Sequence, residues 1–168
     1  MIKHKTFLHW WLIFVLITLL SVQAYAFGLF DVVWENDFTK LSFVNLVLLF
    51  GTSIFCGHKT WVFSNITNRI KIPQTAIKRV EHDIEVGWFI SDLTLTVGMI
   101  GTVIGFIAML GGFIDLDIEN ITTIQDLITE LGLGMSTALY TTLTGLISSA
   151  FLKIQCFNLS YAIDKITK

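Results

Sequence analysis

Residues 88–113 read WFISDLTLTVGMIGTVIGFIAMLGGF, an apolar run with a single charged residue, Asp92. As a helix it would be about 39 Å long at 1.5 Å per residue, more than the roughly 30 Å of a bilayer's hydrocarbon core. Gly98, Gly101 and Gly105 recur every three or four residues, so one face of that helix carries almost no side chains. A run this long and apolar reads as a transmembrane helix with a face made for another backbone.

Three further runs match it in length. They cover 7–30, 41–63 and 131–152; the second thins after Gly57, and His58, Lys59 and Trp61 extend it by reaching toward headgroups. The chain has 168 residues, 54% of them hydrophobic and 14% charged, too little polar surface to cover a soluble domain of this size. The expected fold is therefore an all-α membrane protein with four transmembrane helices, forming one membrane domain over 1–168. A cytoplasmic loop at about 64–87 and an outer loop at about 114–130 join the spans. The net charge of -2 gives no footing for a nucleic-acid partner.

Basic residues set the orientation, because cytoplasmic loops retain them. With the N-terminus inside, Lys3, Lys5, Lys59, Arg69, Lys71, Lys78, Arg79, Lys153, Lys165 and Lys168 all face the cytoplasm, and Lys40 alone lies outside. Both termini are then cytoplasmic. Trp10, Trp11, Trp61 and Trp88 fall at inner ends and Trp34 at the outer side, as interfacial indoles should. Ala24-Tyr25-Ala26 imitates a signal-peptide cleavage site, but the apolar run continues to Phe30, so an uncleaved helix is expected. Cys56 and Cys156 read as apolar filler in a reducing compartment, and the four histidines show no metal-ligand spacing.

Short amphipathic segments should border the spans. Val80 and Ile84, with Ile77, stand at near-helical spacing among charges before span three, and suggest a helix lying on the membrane or on a neighbouring subunit. Ile118 to Leu131 repeats the pattern before span four, where Thr122 and Gln125 form a capping box. About ten residues, Asp31 to Lys40, link spans one and two in a tight hairpin.

Small residues concentrate in the last two spans: Gly98, Gly101 and Gly105 in one, and Gly134, Ala138 and Gly145 in the other. Glycine weakens a helix, so this density needs a packing reason. Spans three and four are the expected buried pair, with one and two as a lipid-facing wall. Polar groups at depth are hydroxyls. Thr102 lies ten residues after Asp92, and Thr142 lies twelve after Glu130 and eleven before Lys153, so both fall near mid-membrane. A single threonine there most often bonds the carbonyl one turn back. Asn45 in span two is expected to bond a neighbouring helix, and Asp92 and Glu130 are candidate inner and outer mouths of an ion route.

Gly98-Met99-Ile100-Gly101-Thr102-Val103-Ile104-Gly105 and the stretch from Gly134 through Ser136, Thr137, Thr141, Thr142 and Thr144 to Leu146 resemble the paired signatures of the MotA/TolQ/ExbB proton-channel family. The resemblance implies a channel (stator) subunit of a rotary motor driven by an ion gradient in a bacterial inner membrane. It further implies a homopentamer around two single-span MotB/ExbD/TolR-like helices, each carrying an essential aspartate. Thr102 and Thr142, with Thr141 and Thr137, would line the ion path for H+ or Na+, and no bound cofactor or metal is implied. Two departures narrow this. ExbB- and TolQ-like proteins carry a glutamate where this chain has Thr137, and an inner loop of about 22 residues is too short for the rotor-contacting domain of MotA-like subunits. The rival readings are a small four-span proton-coupled transporter, disfavoured because span one holds no carboxylate, and an uncoupled scaffold.

Overall fold

The computed structural model describes residues 3–66, 74–113 and 121–167, all helix apart from short turns. Five helices follow one another: α1 (Lys3–Ala26), α2 (Leu29–Asn36), α3 (Leu41–Ile66), α4 (Gln74–Gly111) and α5 (Ile121–Thr167). Four of them, all but α2, are long and apolar enough to cross a membrane. Residues 67–73, with Pro73, and 114–120, with Ile118, lie outside the described residues, as do the side chains of Ile77, Ile121 and Thr122.

The first run does not stay helical to Phe30. Gly28 takes φ +70°, a left-handed conformation open to glycine at little cost, and turns the chain into α2. The expected hairpin therefore contains a short helix, and a buried carboxylate closes it. Asp37 Oδ1 accepts the amides of Thr39 and Lys40, both at 3.1 Å, and Oδ2 accepts that of Ser42 at 3.0 Å. These amides sit at the start of α3, where a helix has no carbonyls of its own to offer them. Lys40, at φ 57°, stretches its ammonium back to the Trp34 carbonyl and over the indole ring.

With 38 and 47 residues, α4 and α5 are about 57 and about 70 Å long. Each exceeds the bilayer core by a wide margin. The amphipathic segment expected before span three is the first part of α4 itself. Its apolar face is not laid on a membrane: Val80 and Ile84 pack with Leu159, Ala162 and Ile163 of α5, and Trp88 borders the cluster. The helix beyond the bilayer is thus held by an intramolecular core.

The outer wall is α1 alone. Only 6% of its apolar span is buried, against 39% for α3. Contrary to the reading of spans one and two as equivalent, α3 packs against both α4 and α5 and carries a polar buried face of Ser42, Asn45, Thr52, Ser53 and Thr60. It runs parallel to α5: Gln155 Nε2 donates to Ser53 Oγ at 2.8 Å, and the Cys56 and Cys156 sulfurs lie 3.9 Å apart. A second core of Ile17, Leu49 and Leu152 ties α1 to this pair, and the Trp10 indole donates to the Ser53 carbonyl at 3.1 Å.

Glycine positions separate into contact and free sites. A Cβ on Gly105 would lie 2.6 Å from the Gly134 carbonyl oxygen, whereas one on Gly132 would meet nothing within 4 Å. Gly105→Ala should therefore force α4 and α5 apart and cost about 1–3 kcal/mol. Gly132→Ala should be neutral or stabilise by up to about 1 kcal/mol. Thermal melts of the detergent-solubilised variants check this, and a Gly105→Ala protein that melts no lower than wild type would show that the contact is absent.

Candidate functional site

Helices cannot associate in lipid by excluding water, so α4 and α5 must gain from close contact. They run antiparallel, and glycine sits at successive points of approach. A Cβ on Gly98 would lie 2.9 Å from the Thr141 carbonyl oxygen, one on Gly134 would lie 2.7 Å from that of Gly105, and one on Gly145 would lie 2.8 Å from that of Thr94. Gly101 faces the Thr141 side chain, and Gly105 also faces Ala138. All six expected packing residues, Gly98, Gly101, Gly105, Gly134, Ala138 and Gly145, thus fall in one seam.

This approach brings two side chains together that are forty residues apart. The hydroxyls of Thr102 and Thr142 hydrogen-bond each other from opposite helices, and both residues are half-buried. Each also has the carbonyl one turn back within reach, Gly98 at 3.1 Å from Thr102 Oγ1 and Ala138 at 2.9 Å from Thr142 Oγ1. The two hydroxyls own two protons for three contacts, so one contact is always without its proton. Such a pair can turn a donor or an acceptor toward a third group by rotating a hydroxyl, without carrying charge.

Charged groups mark both ends of the seam. Lys153 Nζ lies 3.0 Å from Asp92 Oδ1, an exposed pair that adds little stability but fixes a level. At the other end Glu130 Oε2 lies against Gly112, 2.5 Å from where a Cβ would stand. Thr102 is ten residues from Asp92 and ten from Gly112, about 15 Å each way. The threonine pair is halfway between the two charged levels.

The other two threonines go elsewhere. Thr137 and Thr141 are fully buried within the protomer. Thr137 Oγ1 donates to the Asn36 carbonyl at 2.7 Å, which pins the end of α2 onto α5, and Thr141 Oγ1 donates to the Thr137 carbonyl at 2.9 Å. Ser91, which sequence reasoning passed over, bonds Ser149 across the α4–α5 seam, with its Oγ 3.2 Å from the Ser149 hydroxyl and 3.1 Å from that residue's carbonyl. The spacing of Ser91 below Thr94 and Gly98 was the available signal. Asn45 is fully buried with its Nδ2 beside Gly145, yet neither of its amide atoms has a hydrogen-bond partner among the described residues, so the expected bond to a neighbouring helix is not made. Among the described residues no three His, Cys, Asp or Glu side chains group as a metal site.

Four long apolar helices, with polar side chains paired midway along the last two, define a multi-pass membrane protein. The chain belongs to the MotA/TolQ/ExbB proton channel family, whose model matches residues 66–167 and so takes in the whole of α4 and α5. No curated protein and no solved structure matches the chain significantly.

The Thr137 bond has a measurable consequence. Thr137→Val keeps the shape but leaves the Asn36 carbonyl only the longer contact from the Ser136 hydroxyl, at 3.4 Å, a cost of about 1 kcal/mol. Amide hydrogen exchange in α2 should speed up by about fivefold, the factor that energy implies, while Thr137→Ser should exchange at the wild-type rate. Equal protection in the valine variant would remove the pinning role.

Proposed function

We propose that this protein is the ion-path subunit of an energiser complex, in which copies of α4 and α5 surround a single-span partner bearing an intramembrane carboxylate. The observation that carries the reading is the Thr102–Thr142 pair, half-buried midway along the α4–α5 seam with one more contact than it has protons. A carboxylate inside a membrane is costly unless something there bonds it. Uncharged hydroxyls can donate to its ionised form and accept from its protonated form, so they serve both states of a proton carrier. The helix faces beside the pair are apolar and exposed in the protomer, with Met99 and Phe106 flanking Thr102, and Leu139 and Leu146 flanking Thr142. They suit neighbours and a central apolar helix.

Five copies around two partner helices is the arrangement the family resemblance favours, with both termini in the cytoplasm as the lysine and arginine distribution favours. Protons are the ion the family favours, and the membrane is a bacterial inner membrane. Only the mid-depth pair is assigned to the path. Thr137 and Thr141 support it from within the protomer, and Asp92, paired with Lys153, and Glu130 stand at its two mouths.

Two measurements test this. With the partner present, Thr102→Val and Thr142→Val should each lower ion flux by about tenfold, the effect of losing roughly 1.4 kcal/mol of hydrogen bonding to the passing charge, with assembly unchanged. Full flux in both variants would sink the path assignment. Native mass spectrometry of the co-purified complex should give five copies of this chain with two of the partner. A homodimer, or a ring of this chain alone that conducts, would favour the transporter or scaffold reading instead.

A further inference from the structure

Helices α1, α2, α3 and α5 enclose a cavity of about 370 Å³, to which Ala24, Phe30, Leu46 and Ile147 each contribute from one helix. Leu20 and Ile147 line it and are still half-exposed, so it opens to the surroundings. Its α5 wall, from Tyr140 to Phe151, lies between the charged levels at Glu130 and Lys153. Its α1 and α3 walls lie within the apolar spans of those helices. The cavity therefore opens into the hydrocarbon layer and not at a membrane surface.

Walls and size select the occupant. Three lining residues carry a hydroxyl, but Ser21 spends its own on the Ile17 carbonyl and Thr144 on that of Tyr140, both at 2.9 Å. Only the Tyr140 hydroxyl is left, whereas a buried water needs about two to four polar partners and an apolar cavity stays dry. A helix is about 10 Å wide and rises about 5.4 Å per turn, so 370 Å³ is less than one turn of it. The α5 face that Leu139 and Leu146 offer to neighbours lies about 100° away around the helix. Left empty, the apolar walls would have no dispersion partners. A thin hydrocarbon chain remains, and the membrane supplies it. An apolar cavity of roughly 150 Å³ takes up a benzene ring, so this one holds on the order of a dozen carbons. We propose that the cavity holds one acyl chain of a membrane phospholipid as a fixed part of the protomer, wedged between α1 and the α3–α5 pair. Trp10 and Ile17 tie the inner half of α1 to the bundle; the chain packs its outer half. Recognition is by the chain alone, because no charged side chain is among the described lining residues. The site does not depend on the ion path.

The full-length protein can be placed in vesicles of phosphatidylcholine bearing a mid-chain diazirine, irradiated, and its labelled residues located by mass spectrometry. In wild type the label should reach Leu46 and the buried Leu49, both on the cavity wall, as well as the exposed Leu19 and Val47, which face the surrounding bilayer. Ala24→Phe fills the cavity and should lower labelling at Leu46 and Leu49 about tenfold, the loss an overpacked site gives, with Leu19 and Val47 unchanged. Val22→Phe, on the exposed side of α1, should alter neither pair. Phosphatidylglycerol bearing the same chain should label Leu46 and Leu49 as strongly as phosphatidylcholine does. Wild-type labelling confined to Leu19 and Val47 would overturn the site without recourse to any variant, as would labelling of Leu46 and Leu49 that survives in Ala24→Phe. Labelling by phosphatidylglycerol alone would overturn recognition by the chain. Unlabelled Leu46 and Leu49, together with a smaller assembly for Ala24→Phe in native mass spectrometry, would overturn the lipid in favour of a second copy of this chain.

Discussion

The close approach of two glycine-bearing helix faces, α4 against α5, is the constraint on which the other features rest. In lipid neither helix gains by hiding apolar surface from water, so contact must be close enough for dispersion to add up over the seam. Side chains of ordinary size would hold the axes at 8–10 Å or more; here carbonyl oxygens stand where a Cβ would be. Only at that separation can two short side chains such as Thr102 and Thr142 reach each other across the gap. The same approach sets the register, because shifting either helix by one residue would drive a Cβ into a carbonyl. Asp92 opposite Lys153, Ser91 opposite Ser149 and Glu130 beside Gly112 all follow from that one alignment.

What could be read beforehand was what repeats along the chain. Hydropathy marks the four long helices, and glycine at three- and four-residue spacing marks the seam, because both are properties of one helix alone. The mid-depth position of Thr102 and Thr142 was legible for a similar reason: depth is rise multiplied by residue count, measured from charges that mark the membrane surfaces. Destinations across space were not. Nothing local says that the Thr137 hydroxyl meets a carbonyl at Asn36, a hundred residues earlier. Likewise Val80 and Ile84 show only that a face is apolar, and membrane, neighbour and the α5 tail would all satisfy it. The break at Gly28 was hidden by the apolar residues on either side, since hydropathy does not record a change in φ. The burial of α3 was missed because its mean hydropathy resembles that of α1, although its serines, threonines and Asn45 share one face.

Thr137 shows how a departure from a family pattern acquires a physical meaning. The resemblance places a glutamate there in ExbB- and TolQ-like proteins. In this chain the position is sealed inside the protomer, and the side chain's one donor is spent on the Asn36 carbonyl. An ionised carboxylate could not occupy it unchanged, because it would set two acceptors against a carbonyl oxygen in a buried site. The substitution and the docking of α2 are therefore two sides of one arrangement. The α2 connection leans on α5 because the residue there is neutral and can donate.

On the half-exposed part of the α4–α5 seam, acceptor and donor capacity falls on the Thr102–Thr142 pair, whereas the unpartnered amide of Asn45 is fully buried. A fixed charge at that depth would demand a permanent counter-charge and would hold any passing ion too tightly to release it. A fully satisfied neutral network would offer nothing to a visitor, since each new bond would break an old one of equal worth. Two hydroxyl protons shared among three contacts lie between these limits. A visiting donor finds free lone pairs, and a visiting acceptor is served by rotating one hydroxyl away from a contact that the other arrangement of the two protons also leaves unmade. Nor is the pair free to drift into a better-satisfied geometry, because the glycine seam holds both backbones in place. The conformational rigidity of the seam and the chemical looseness of the pair are thus complementary, and the first is what makes the second usable.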